Sequence, residues 1–86
     1  MGDEKNPDLI AFGIVIKDRR KELKITQEQL SLYTRIDRSY ISEIENGIKN
    51  PSLTTILMLA RALHLKPSEL LKQFENSNSH FDSENR

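Results

Sequence analysis

Apolar residues return at helical intervals in five stretches of the chain, with polar or helix-breaking residues between them. Leu9, Phe12, Ile16 and Leu23 recur on one helical face, with Ile10 and Val15 beside them. Asn6 before Pro7 reads as an N-cap followed by the first helical position, and Asp8 lies at the favourable end of the helix dipole. The spacing predicts a helix over 8–23, although Gly13 and the β-branched run Ile14-Val15-Ile16 lower its propensity. Thr26 and Gln29 form a Thr-x-x-Gln capping box that opens a short helix over 26–33, with Leu30 turned inward. After a break at Thr34-Arg35-Ile36, Asp37 is positioned to cap a third helix, 37–46, which buries Ile41 and Ile44 and ends with Gly47 at the C′ position. Asn50-Pro51-Ser52 is a turn and an N-cap. Leu53, Ile56, Leu57, Ala60 and Leu63 then give the clearest amphipathic pattern in the chain, over 52–63, with His64 ending the helix. Pro67 and Glu69 open a fifth helix over 67–75, carrying Leu70, Leu71 and Phe74.

These elements predict an all-α domain of five short helices spanning 8–75. A flexible segment is expected at 1–7 and a disordered polar tail at 76–86, where too little apolar area is available to offset the ordering entropy. No alternating strand pattern competes, and there are no internal repeats.

Length and composition narrow the function. Eighty-six residues allow one small domain and leave no room for a two-domain enzyme with a cofactor crevice. The absence of Cys excludes a disulfide framework and any thiolate metal site. His64 and His80 are the only histidines, which makes zinc an unpromising reading. Glu43 and Glu45 point away from each other on a helix, so no carboxylate pair is set up for catalysis, and there is no Gly-rich phosphate loop. No enzyme site, cofactor or small-molecule ligand is expected. With no apolar run of membrane-spanning length and no leader-like segment, a cytoplasmic protein is expected.

The charge is neutral only in total. Both ends are acidic, and the interior 9–74 carries eleven basic against seven acidic groups, a balance of +4. A polyanionic partner is therefore compatible with the composition.

Two short helices joined by a three-residue break have the form of a helix-turn-helix unit. At roughly 100° per residue, Ile41 and Ile44 set the inward side of the third helix, and Ser39, Ser42, Glu43 and Asn46 fall on the opposite side. All four are polar residues able to hydrogen-bond, and Arg38 lies on the first turn at the rim of that face. A polar outer face is common to surface helices. Its setting distinguishes this one: Lys17, Arg19, Arg20, Lys21 and Lys24 close the first helix, Arg35 precedes the third and Lys49 follows it.

The runs Thr26-Gln27-Glu28-Gln29-Leu30-Ser31, Asp37-Arg38-Ser39-Tyr40-Ile41-Ser42-Glu43-Ile44-Glu45-Asn46-Gly47 and Asn50-Pro51-Ser52-Leu53-Thr54-Thr55-Ile56 together closely resemble the Cro/repressor (XRE) helix-turn-helix family, over about Phe12 to Leu71. The resemblance implies a lambda-repressor-like domain that binds a pseudo-palindromic double-stranded DNA operator as a homodimer, with the third helix in the major groove. It implies base-reading positions at Arg38, Ser39 and Glu43, with Ser42 adjacent. It further implies DNA-backbone contacts from Gln27, Tyr40, Asn46 and Lys49, with Gln27 also buttressing the third helix. Arg20 and Glu45 match a partly buried structural ion pair. Leu65, Leu70 and Phe74 are candidates for the dimer surface, because so small a domain gains stability by pairing.

Two positions depart from the family pattern. Arg35 stands in the turn where Gly or Asn is usual. A left-handed backbone there costs on the order of 1 kcal/mol, offset by a phosphate contact unless the turn is built differently. Ser31 stands where Ala is preferred, a tolerable change if its hydroxyl bonds within the helix. The Asp-Arg-Ser-Tyr-Ile-Ser run in a short single-domain chain also resembles restriction–modification controller proteins. The competing reading is a helix-turn-helix used for protein interaction, as in an antitoxin or anti-repressor. Such a module should expose Leu, Met or aromatic residues on the outer face of the third helix.

Overall fold

Local capping chemistry accounts for where four of the five helices begin. The computed structural model describes residues 6–77, which form α1 (Pro7–Glu22), α2 (Gln27–Thr34), α3 (Arg38–Glu45), α4 (Leu53–Ala62) and α5 (Pro67–Ser77), with no strand among them. The Asn6 Oδ1 accepts from the amides of Asp8 at 2.8 Å and Leu9 at 3.4 Å, and Pro7 takes the first helical position. Thr26 and Gln29 close a reciprocal capping box, at 3.0 Å and 2.8 Å. Ser52 Oγ accepts from the Thr55 amide at 3.2 Å, and Glu69 accepts from the Lys66 amide at 2.7 Å. These bonds satisfy amides that a helix cannot pair internally.

Two segment boundaries are corrected. Asn6 is bonded and Pro7 is helical, so that part of 1–7 is ordered, and α5 runs through Asn76 and Ser77 into the span expected to be disordered. The remainder of both terminal expectations, 1–5 and 78–86, lies outside the described residues.

α1 packs on α3 and α5, α2 on α3 and α4, and α4 on α5. Phe12, Val15, Ile16, Leu30, Ile41, Ile44, Leu59, Ala60, Leu63 and Leu70 make the core, and Phe12 meets Phe74 edge-on at 6.4 Å. The stripe read in α4 is partly redrawn, since Leu59 is fully buried while Leu53 is 70% exposed. Leu53 and Ala60 share a side of the helix, but Leu53 is the first helical residue and Ala60 lies about two turns further in.

Gly13 has a use that propensity conceals. A Cβ at this position would stand 2.6 Å from the Glu45 carbonyl oxygen and closer still to that of Ile44. Glycine thus lets α1 cross the backbone of α3 at a distance no other residue allows. Gly47, at φ +74°, ends α3 and leaves no room for a Cβ against Ile10. The other left-handed cap positions are not glycines: Lys24 (φ 60°), Arg35 (φ 64°) and His64 (φ 60°).

Candidate nucleic-acid interface

The turn between α2 and α3 is fastened by two side chains. Arg35 adopts the left-handed conformation and its amide donates to the Ser31 carbonyl at 2.7 Å. Thr34 Oγ1 donates to the Leu30 carbonyl at 2.8 Å and accepts from the Ile36 amide at 3.1 Å. The Ser31 hydroxyl donates to the Ile36 carbonyl at 2.5 Å, so it bonds across the turn instead of within its helix. This arrangement over-determines the strained Arg35 backbone and leaves the Arg35 side chain exposed beside the start of α3.

The other end of α3 is held from below. Arg20 Nε lies 2.7 Å from Glu45 Oε2 and Nη2 lies 3.0 Å from Oε1, a bidentate pair with both side chains buried. Arg20 Nη1 donates to the Ile25 carbonyl at 2.9 Å. The Gln27 Nε2 donates to Glu45 Oε1 at 3.0 Å. One carboxylate therefore ties together α1, the first residue of α2 and the last residue of α3. The Glu45 hydrogen bond holds the Arg20 guanidinium above its ordinary pKa against the opposing effect of burial. No buried side-chain nitrogen or oxygen among the described residues lacks a hydrogen-bond partner.

Fixed at both ends, α3 turns Ile41 and Ile44 into the core. Arg38, Ser39 and Asn46 are exposed, and Ser42 and Glu43 are half-buried. Tyr40 is half-buried against the core. Lys49 is exposed just beyond α3, where its amide and that of Ile48 donate to the Glu43 carbonyl at 3.4 Å and 2.9 Å. Arg38 and Gln27 share a hollow of about 500 Å³ with Arg20, Lys21, Lys24, Ile25, Thr26 and Glu28, in which the basic groups outnumber the single acidic one. The hollow thus joins the end of α1, the start of α2 and the first turn of α3 on a basic surface.

Several sequence expectations change. Asp37 stands at the N-cap of α3 but makes no capping bond; its carboxylate accepts from the Ser39 hydroxyl at 2.5 Å instead. Arg19 does not join the basic surface. Its Nε donates to the Leu63 carbonyl at 2.9 Å, Nη2 to that of His64 at 3.4 Å, and Nη1 pairs with Glu22, so it caps the end of α4. Leu70 is corrected as a dimer-surface candidate because it is fully buried within its own chain, as part of the hydrophobic core. Leu65 and Phe74 are half-buried, and Leu71 is 51% exposed on the outside of α5. His80 lies outside the described residues, among which no group of three His, Cys, Asp or Glu side chains is placed to hold a metal ion. No helix among them is long and apolar enough to cross a membrane.

The comparisons with known proteins agree with this geometry. A family model described as Helix-turn-helix matches residues 16–70. The control protein C.MunI of Mycoplasma sp is 37% identical over 67 residues, which cover 77% of this chain and 90% of that protein. The crystal structure of the restriction–modification controller protein C.AhdI from Aeromonas hydrophila matches with a TM-score of 0.73 and 40% identity, covering 76% of this chain and 98% of that one. The controller protein C.Esp1396I, solved as a tetramer in complex with its natural 35 base-pair operator, matches with a TM-score of 0.80 and 26% identity over 85% of this chain and 96% of that one. The chain spans less than half the length of one further relative, the immunity repressor protein of Bacillus phage phi105, to which it is 43% identical over 62 residues. An all-α fold shared with the controller proteins, a fastened turn and a matching family model lead to one assignment: the chain belongs to the XRE-type helix-turn-helix family.

Proposed function

We infer that this protein is a sequence-specific, double-stranded DNA-binding transcriptional regulator and not an enzyme. It acts as a homodimer that places α3 in the major groove of a pseudo-palindromic operator, and it serves as a restriction–modification controller. The observation that carries this reading is the outer face of α3. It presents Arg38, Ser39, Ser42, Glu43 and Asn46, it is immobilised by the Arg20–Glu45 pair, and it borders a basic hollow. Relatives named as control proteins, and a structural neighbour solved on its operator, support the same conclusion.

Among the described residues the exposed large apolar ones are Ile14, Leu32, Tyr33, Ile48, Leu53 and Leu71, none of them on α3. That disfavours an antitoxin or anti-repressor, which would read a protein surface with this helix. In the proposed arrangement Arg38, Ser39, Ser42 and Glu43 read base edges. Gln27, Arg35, Tyr40, Asn46 and Lys49 grip the backbone, and Gln27 does so with the amide hydrogen left over after its bond to Glu45. The dimer surface centres on the exposed Leu71 of α5, with the half-buried Leu65 and Phe74 contributing their accessible edges. The regulator works in the cytoplasm.

Arg38 and Lys49 separate reading from gripping. A guanidinium donates two parallel bonds to guanine O6 and N7, and losing such a contact costs ~1–3 kcal/mol at one base pair. A phosphate contact carries no sequence information. Binding profiles over single-base operator variants at two salt concentrations test this. Arg38→Ala should flatten the preference at one position per half-site. Lys49→Ala should weaken all sequences alike and lower the salt slope by about one unit per protomer contact. The assignment fails if the two variants exchange these behaviours.

A further inference from the structure

We propose that Asp37 determines what Ser39 reads. By occupying the hydroxyl hydrogen, it leaves Ser39 able only to accept, and so directs it to the exocyclic amino group of an adenine or a cytosine. This inference rests on α3 being the reading helix.

Asp37 is where an N-cap belongs, and an Asp there ordinarily accepts from the amide two or three residues on. It makes no such bond. Its Oδ2 instead takes the Ser39 hydroxyl at 2.5 Å, and no ion pair among the described residues uses its charge. Chemistry fixes the direction of that bond. A carboxylate only accepts, so the single hydroxyl hydrogen lies between the two oxygens, and the lone pairs of the serine oxygen remain for a partner.

Both residues are exposed at the start of α3, and Ser39 lies on the side away from Ile41 and Ile44. A free serine hydroxyl is an ambiguous reader, because it satisfies donor and acceptor edges equally. One whose hydrogen is held satisfies only donors, and in the major groove these are adenine N6 and cytosine N4. Thymine O4 and guanine O6 or N7 would meet lone pairs from Ser39 and, behind it, the carboxylate of Asp37. The same charge opposes the phosphates, so the device gains discrimination at some loss of general grip.

The test uses the full chain and a pool of randomised synthetic duplexes, with the bound fraction sequenced. Four proteins are compared: wild type, Ser39→Ala, Asp37→Ala and the double variant. Wild type should enrich adenine or cytosine, by about tenfold or more, at one position per half-site on the strand facing Ser39. Ser39→Ala should abolish that preference and leave the others. Asp37→Ala should reduce it to a few-fold or less, with thymine and guanine gaining, while affinity for the pool as a whole stays level or rises. The double variant should match Ser39→Ala. Asp37→Asn should relax the same position, because its amide can either take the hydroxyl hydrogen or donate to the oxygen, and it guards against a folding defect in the alanine variant.

The proposal is overturned if either Asp37 variant leaves the Ser39-dependent position unchanged. It is also overturned if thymine or guanine is preferred there, or if Ser39→Ala changes no position while the wild type still selects a site. A wild type that enriches no sequence at all instead overturns the DNA-reading function itself.

Discussion

Replacing Gly13 by alanine sets two effects of opposite sign against each other. By intrinsic propensity the change should help, since alanine in a helix interior is favoured over glycine by about 1 kcal/mol. The tertiary structure opposes it. The added methyl would lie 2.6 Å from the Glu45 carbonyl oxygen and 2.8 Å from its carbon, with the Ile44 oxygen nearer still. An ordinary carbon–oxygen contact needs roughly 3.4 Å, so α1 and α3 must separate by about 0.8 Å or more. These neighbours are backbone atoms and cannot rotate away. Overpacking of this kind costs typically ~1–3 kcal/mol and at times more. The upper end applies here, because the displaced Glu45 also carries the carboxylate that holds Arg20 and Gln27. We expect a net loss of about 2 kcal/mol. For a domain of this size that lowers Tm by roughly 8–16 °C. Thermal unfolding followed by far-ultraviolet circular dichroism measures it. Operator affinity should fall at temperatures where the variant is still folded, because α3 has moved. A Tm equal to or above that of the wild type would refute the argument, since it would mean that the crossing tolerates a methyl and propensity decides.

Three further outcomes follow from the packing. Glu45→Ala strands the Arg20 charge and should lower stability by about 3–5 kcal/mol in urea titration, whereas replacing both partners by apolar residues of similar size should recover most of that loss. Sedimentation at micromolar concentration should give twice the chain mass; Leu71→Asp should yield a folded monomer, while Leu70→Ala should cost ~2–5 kcal/mol of stability, as expected of a core leucine. His64→Gly relieves a left-handed backbone and should raise stability by on the order of 1 kcal/mol, seen as a higher urea midpoint.

The sequence by itself determined the helices and their order. Their signals are local: Asn6 and Pro7, the Thr26–Gln29 box, Ser52 and Gly47 act within a turn or two of their own positions, where spacing alone tells which groups meet. The polar face of α3 was legible for the same reason, since its periodicity is a property of one helix. The tertiary structure decided what depends on a second element. Gly13 reads as a weak point in a helix until the α3 backbone is seen against it. Arg19 and Arg20 are neighbours in one basic run, yet one caps α4 and the other holds Glu45. Leu70 and Leu71 are adjacent leucines, one sealed in the core and one half in solvent. Burial, close approach and partner choice are set by distances between segments far apart in the chain, and the spacing of residues along one segment carries no record of them.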